Sequence, residues 1–240
     1  METEKLSFRE GLADGIPIGL GYLSVSFSFG IAAVTNGVSA LAATAISMTN
    51  LTSAGQVAGL GIITAAGTLL ETALAQLIIN MRYALMSLSL SQKLDSGFTT
   101  PHRFLAAFGI TDEIFAVASG KPKEVTPRYM YGLILLPFLC WSMGTLLGGI
   151  AGSVLPEMLR SALGIAIYGM FIAIFIPPAR KSVGVLVTVI ISAAMSCGLR
   201  YIPLFSHVSS GFAIIICTLA AAAAGAIWFP TKEQGEAETE

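Results

Sequence analysis

The sequence predicts an all-α, polytopic integral membrane bundle: about six full spans, with broken or re-entrant helices among them. Three observations carry that prediction. Of 240 residues, 55% are hydrophobic and only 11% are charged, whereas a soluble domain carries roughly 25% charged residues. The charges are segregated: residues 129–156, 161–179, 182–199 and 201–231 hold none. Each of these runs reaches the ~18 apolar residues that cross a bilayer core. Finally, Asp14 and Glu71 bracket a further uncharged stretch, so the few intramembrane carboxylates stand out.

The elements follow in order. Residues 1–14 form a polar cytoplasmic or interfacial lead, residues 15–229 the transmembrane domain, and residues 230–240 a short acidic, disordered cytoplasmic tail. The lead is mixed in sign, unlike a cleavable signal. The first span runs over 15–35 and ends at the turn signal Asn36-Gly37. It is studded with Gly19, Ser24, Ser26, Ser28 and Gly30, small residues that let helices approach closely in lipid. "VSALAATAISM" is only half a bilayer long, and "TNLTSAGQ", residues 49–56, follows it. Thr, Asn, Ser and Gly favour caps and turns, so this polar run reads as a helix break, with an extramembrane hairpin as the plainer reading. A second span is expected over 55–80, then an interfacial or tilted helix over 81–103 and a half-length or re-entrant element over 104–120. "KPKEVTPR", residues 121–128, is a loop, and spans at 129–154, 160–178, 182–200 and 207–229 complete the bundle.

Orientation follows Lys and Arg near span ends. Lys5, Arg9, Lys121, Lys123, Arg128, Arg180 and Lys181 are expected on the cytoplasmic side, with both termini. An even number of crossings must then separate residue 15 from residue 120. Pro17 ahead of Gly30 and Pro137 ahead of Gly148-Gly149 form an internal echo of the kind from which transporters are built.

A charge at the bilayer centre costs on the order of 2.5–3.5 kcal/mol, so an intramembrane carboxylate is a functional candidate by default. Glu71 is such a residue, and Thr64, Gly67, Thr68, Glu71 and Ala75 would form one polar stripe on a continuous helix. The plainer reading is a glutamate hydrogen-bonded to a neighbouring helix. Asp112 and Glu113 are adjacent, so on a helix they point about 100° apart. One can meet a cavity and the other a basic partner, or both can simply cap a short helix. At the polar break, N–H groups near Ala54-Gly55-Gln56 favour an anion, and carbonyls near Thr49-Asn50 favour a cation. Asn50, Ser53, Gly55 and Gln56 are therefore candidates to hold the two ends of a zwitterion. Cys140, Cys197 and Cys217 lie within apolar runs without metal-type spacing. No phosphate-binding loop, HExxH pair or catalytic triad is present in the sequence, so no cofactor, ATP coupling or enzyme activity is expected. At a net charge of −1, nucleic acid is not an expected partner.

Four pieces together carry a resemblance: "FREGLADGIPIGLGYLSVSFSFGIAA", "SAGQ" at 53–56, "INMRYALMSLSLSQKL" at 79–94 and "TDEIFAV" at 111–117. In that order the chain resembles the AzlC family of bacterial branched-chain amino acid permeases, from Phe8 to about Phe229. The resemblance implies export of branched-chain amino acids across the bacterial plasma (inner) membrane, together with a small AzlD-type membrane subunit. It places Gln56, Asn80, Arg82, Asp112 and Glu113 on family-like pieces, whereas Val57 and Tyr83 depart from the family pattern. The expectation is a proton-coupled secondary transporter of small neutral amino acids. Asn50, Ser53, Gly55, Gln56, Asn80 and Arg82 would bind substrate, and Glu71, Asp112 and Glu113 would handle the proton. The alternatives are an uncoupled channel for small zwitterions or organic ions, and an assembly subunit without transport of its own.

Overall fold

The computed structural model describes residues 5–205 and 207–230, without the side chains of residues 160–162, 164–167, 170, 173 and 174 in one helix. The expected tail over 230–240 thus lies almost wholly outside the described residues. The helices are α1 (Phe8–Thr35), α2 (Ala40–Thr49), α3 (Ser53–Thr64), α4 (Leu69–Ser91), α5 (Thr100–Phe108), α6 (Asp112–Ser119), α7 (Pro127–Val154), α8 (Glu157–Lys181), α9 (Val183–Tyr201) and α10 (Ser210–Trp228). A short 3-10 turn covers Pro203–Phe205. No strand occurs among the described residues. Their one isolated bridge pairs Leu94 with Val125. Five helices are long and apolar enough to cross a bilayer, namely α1, α4, α7, α9 and α10. α8 carries the uncharged run 161–179 within its 25 residues.

The expected span over 55–80 is not one helix. α3 ends at Thr64 and α4 begins at Leu69, so the polar stripe from Thr64 to Ala75 does not share a helix face. The turn between them puts Ala66 at φ 54, a conformation costly for a residue with a Cβ. Thr68 then accepts a hydrogen bond from the Glu71 N–H at 3.1 Å and caps α4. The residues expected as an interfacial helix instead continue α4 to Ser91. The element over 104–120 is also divided, at Gly109, into the end of α5 and the separate α6. Asp112 and Glu113 stand in the first turn of α6, not at its centre. α1 begins inside the expected lead, because Ser7 and Glu10 cap it reciprocally: the Ser7 N–H donates to Glu10 Oε2 at 2.6 Å, and the Glu10 N–H donates to Ser7 Oγ at 3.3 Å.

The chain divides into two compact units. The first comprises the chain up to Leu60 together with Ile79–Gly169. Its core is the pair α1 and α7, which run parallel with backbones in direct contact. A Cβ on Gly11 would stand 2.1 Å from the Tyr129 carbonyl oxygen, and one on Gly132 would stand 2.2 Å from that of Phe8. Further along, a Cβ on Gly148 would meet the Phe27 oxygen at 2.0 Å. Only glycine permits this approach, and close backbone packing is what associates helices in lipid. At the start of the pair, Thr126 Oγ1 donates to the Leu6 carbonyl at 2.7 Å. Nearby, Asp14 accepts from Lys121 Nζ and the Tyr129 hydroxyl, both at 2.6 Å. The first turns of α1 and α7 therefore lie on the same side, and an even number of crossings separates them.

The second unit comprises Gly61–Ile78 and the chain from Met170 onward. Its α9 and α10 are antiparallel. They touch where the start of α9 meets the end of α10: a Cβ on Gly225 would stand 2.5 Å from Thr188 Oγ1, and one on Gly184 would stand 2.9 Å from Phe229 Cβ.

Candidate functional site

In the first unit, the break between α2 and α3 spans only Asn50 to Thr52. Thr52 is buried and satisfies the start of α3 itself, its hydroxyl accepting from the Gly55 N–H at 3.3 Å. The Gln56 N–H donates to the Thr52 carbonyl at 3.1 Å, so two of the N–H groups expected to face an anion are occupied by the chain. Asn50 ends α2, and its carbonyl accepts from the Thr52 N–H at 2.9 Å. Asn50 and Ser53 are half-buried, and Gly55 is buried.

Gln56 is 1% exposed and points into the protein, not toward an open cavity. The Trp141 indole N–H donates to Gln56 Oε1 at 2.7 Å, and Gln56 Nε2 donates to Ser47 Oγ at 2.6 Å. An indole N–H is donor-only, which fixes the orientation of the amide. Thr145 donates to the Trp141 carbonyl at 3.2 Å, so Ser47 is the donor to Thr145 across 2.7 Å. The loop closes on itself and fastens α2 and α3 to α7.

Trp141 also packs edge-on against Tyr22 of α1, with ring centroids 5.1 Å apart. The Tyr22 hydroxyl stands 2.5 Å from both Glu113 Oε2 and Thr111 Oγ1. It has one proton, so it donates to the carboxylate and accepts from the threonine. Thr111 is also the N-cap of α6. The neighbouring Asp112 turns the other way and pairs with Arg82 of α4 at 2.8 Å. Both of those side chains are 44% exposed. Arg82 also lies over the Tyr83 ring, 5.0 Å from its centroid. α6 is too short to span a membrane. Burial pushes the Asp112 carboxyl above its usual value, with Glu113 beside it adding to the rise and the Arg82 guanidinium opposing both. The structure thus gathers Gln56, Arg82, Asp112 and Glu113 into one unit and joins Gln56 to Glu113 through Trp141 and Tyr22. Asn80 is half-buried on α4, but two residues from Arg82 and so on a different face.

Glu71 belongs to the second unit. It is 3% exposed and accepts from Ser209 Oγ at 2.5 Å and from the Gly211 N–H at 2.7 Å. Both donors belong to the first turn of α10, where N–H groups and the helix dipole favour a negative charge. A Cβ on Gly211 would stand 2.4 Å from Glu71 Cγ, so glycine there makes room for the carboxylate. The arrangement fastens α4 to α10. Trp141, Tyr22, Thr111 and Ser209 were not singled out as site residues, because their partners lie 85 to 138 residues away in sequence.

Long apolar helices, a parallel glycine-packed pair and charged groups held within the helical mass define a polytopic helical membrane protein. A family model described as AzlC protein matches residues 17–155, and the chain belongs to that family. It is 34% identical over 177 residues to an uncharacterized membrane protein of Archaeoglobus fulgidus, covering 73% of this chain and 77% of that one. It is 28% identical over 229 residues to the inner membrane protein YgaZ of Escherichia coli, covering 92% of each. An uncharacterized membrane protein of Helicobacter pylori is 28% identical over 151 residues, which are 61% of this chain and 65% of that relative. No solved structure matches the chain.

Proposed function

We propose that the chain is a secondary transporter of small neutral, branched-chain amino acids, exporting them across a bacterial inner membrane with proton coupling. It works with a small AzlD-type subunit and catalyses no chemical transformation. The observation that carries this reading is the half-exposed Arg82–Asp112 pair. A cation and a carboxylate in contact are the complement of a zwitterion: the substrate carboxylate takes Arg82 and its ammonium takes Asp112, leaving the site neutral. A substrate with net charge would leave one partner unmatched, at a desolvation cost. Asn50 and Ser53 at the break supply additional polarity, Gly55 and Gln56 hold that break in shape, and Asn80 supports α4. Glu113, held by Tyr22 beside the pair, and Asp112 are better placed to exchange a proton than Glu71, which is nearly sealed and whose Oε1 is taken by the start of α10. Family membership supports the transporter class.

The test is counterflow of leucine, isoleucine and valine in proteoliposomes, with and without an AzlD-type partner, at two pH values. Saturable, pH-dependent exchange is the expected result. Exchange that ignores a pH gradient would move the reading to an uncoupled facilitator, and no exchange even with the partner would defeat it.

A further inference from the structure

α9 and α10 form a wedge closed at one end, where Thr188 meets Gly225. Toward the other end the helices part around a cavity of about 560 Å³. One wall carries Ser192, Ser196 and Arg200 at successive i, i+4 positions, so they form a single stripe. The stripe runs inward from Arg200 for about 12 Å at ~1.5 Å per residue. Ser210 and Thr218 line the opposite wall, with Phe205 and Ile214 supplying apolar surface. Arg200 lies exposed in the last turn of α9, and among the described residues its side chain makes no ion pair or hydrogen bond. No carboxylate lines the cavity. Glu71 sits nearby, but its Oε1 is taken by Ser209 and the Gly211 N–H.

We infer that this wedge is a water-filled vestibule that takes a small amphipathic monoanion, its carboxylate on Arg200 and its apolar body against Phe205 and Ile214. A lipid headgroup would satisfy Arg200 equally well, since basic pockets between membrane helices hold anionic headgroups. Its acyl chains would then lie along Ser192, Ser196 and Thr218, where hydroxyls meet hydrocarbon unfavourably. A small hydrated acid has no such mismatch. The absence of a carboxylate in the lining favours a monoanion over a zwitterion. This binding does not require the Arg82–Asp112 pair, so a failure of amino acid exchange leaves it intact.

The test uses the full chain with Cys140, Cys197 and Cys217 replaced by alanine, in phosphatidylcholine vesicles. Ser196→Cys reports on one wall and Thr218→Cys on the other. Each is labelled with an anionic sulfonatoethyl and a cationic trimethylammonioethyl methanethiosulfonate. With every rate taken relative to that reagent's rate with a free thiol in solution, the expected result is labelling of both reporters, about tenfold faster with the anionic reagent. That preference is lost in Arg200→Gln, and 4-methylpentanoate slows the labelling. Failure of both reporters to label would overturn the vestibule, and equal rates for the two reagents would overturn the role of Arg200. Slowing by added phosphatidylglycerol but not by 4-methylpentanoate would assign the wedge to lipid and overturn the solute.

Discussion

The protein holds carboxylates inside its helical mass in two ways. Glu71 is nearly sealed, with its Oε1 accepting from a hydroxyl and a backbone N–H at the start of α10. Asp112 is half-exposed and faces one opposite charge carried on a half-exposed side chain. The first arrangement neutralises a charge with fixed dipoles in a place that is nearly sealed. The second neutralises a charge with a side chain that can be displaced. Rarity of charge in so apolar a chain marks both residues for attention, but only the second environment leaves a partner within reach of a solute.

Several substitutions sharpen or break this contrast. The largest effect is expected from Asp112→Asn, which removes a charge-assisted contact of about 1.5–3 kcal/mol. The half-saturation concentration for leucine counterflow should rise roughly 10- to 100-fold, and an unchanged value would erase the distinction between the two carboxylates. Gly211→Ala comes next. Its Cβ would collide with Glu71 Cγ at 2.4 Å, so thermal stability in detergent should fall by about 1–3 kcal/mol. Glu71→Gln keeps an acceptor but loses the charge. It should cost about 1 kcal/mol of stability, as loss of a cap does, and leave the pH profile of exchange unmoved. A shifted profile would return Glu71 to proton handling. Arg82→Gln removes the partner of the substrate carboxylate, so it should raise the half-saturation concentration as Asp112→Asn does; in the exchange that remains it also removes the one group that holds the Asp112 carboxyl down. That carboxyl should then bind its proton more tightly, so the acid limb of the exchange profile should move to higher pH. Lys5→Ala is expected to do least. Lys5 is 73% exposed, while Asp95, its partner at 3.3 Å, is buried and keeps a hydrogen bond from the Gly97 N–H at 3.0 Å, so solvent screening at the lysine end holds the loss to about 1 kcal/mol.

How much of this was readable depended on how local the interactions are. The helical membrane class, the break after Thr49 and the divergence of Asp112 from Glu113 rest on composition, turn chemistry and helical angle. The false continuous span over 55–80 arose from weighing hydropathy above capping. Thr68 and Glu71 stand three apart, as do Ser7 and Glu10, the pattern that begins a helix, and both pairs do so here. What could not be read were the partners. Nothing near Glu71 announces Gly211, 140 residues onward. Tyr22 likewise meets Thr111 across 89 residues. Gln56 was legible as a polar residue at a break, but its closure by Ser47 and Trp141 depends on α7 being in place.

The parallel pairing of α1 and α7 also sets a schedule for the ribosome. α1 presents its glycine-bearing face to a mate that ends at Val154. At about 5–20 residues per second, the newborn helix waits on the order of ten seconds for it. Throughout that interval the seam is open to any other helix in the translocation site. Faithful biogenesis therefore depends on keeping the seam unclaimed until α7 has been threaded in the same direction.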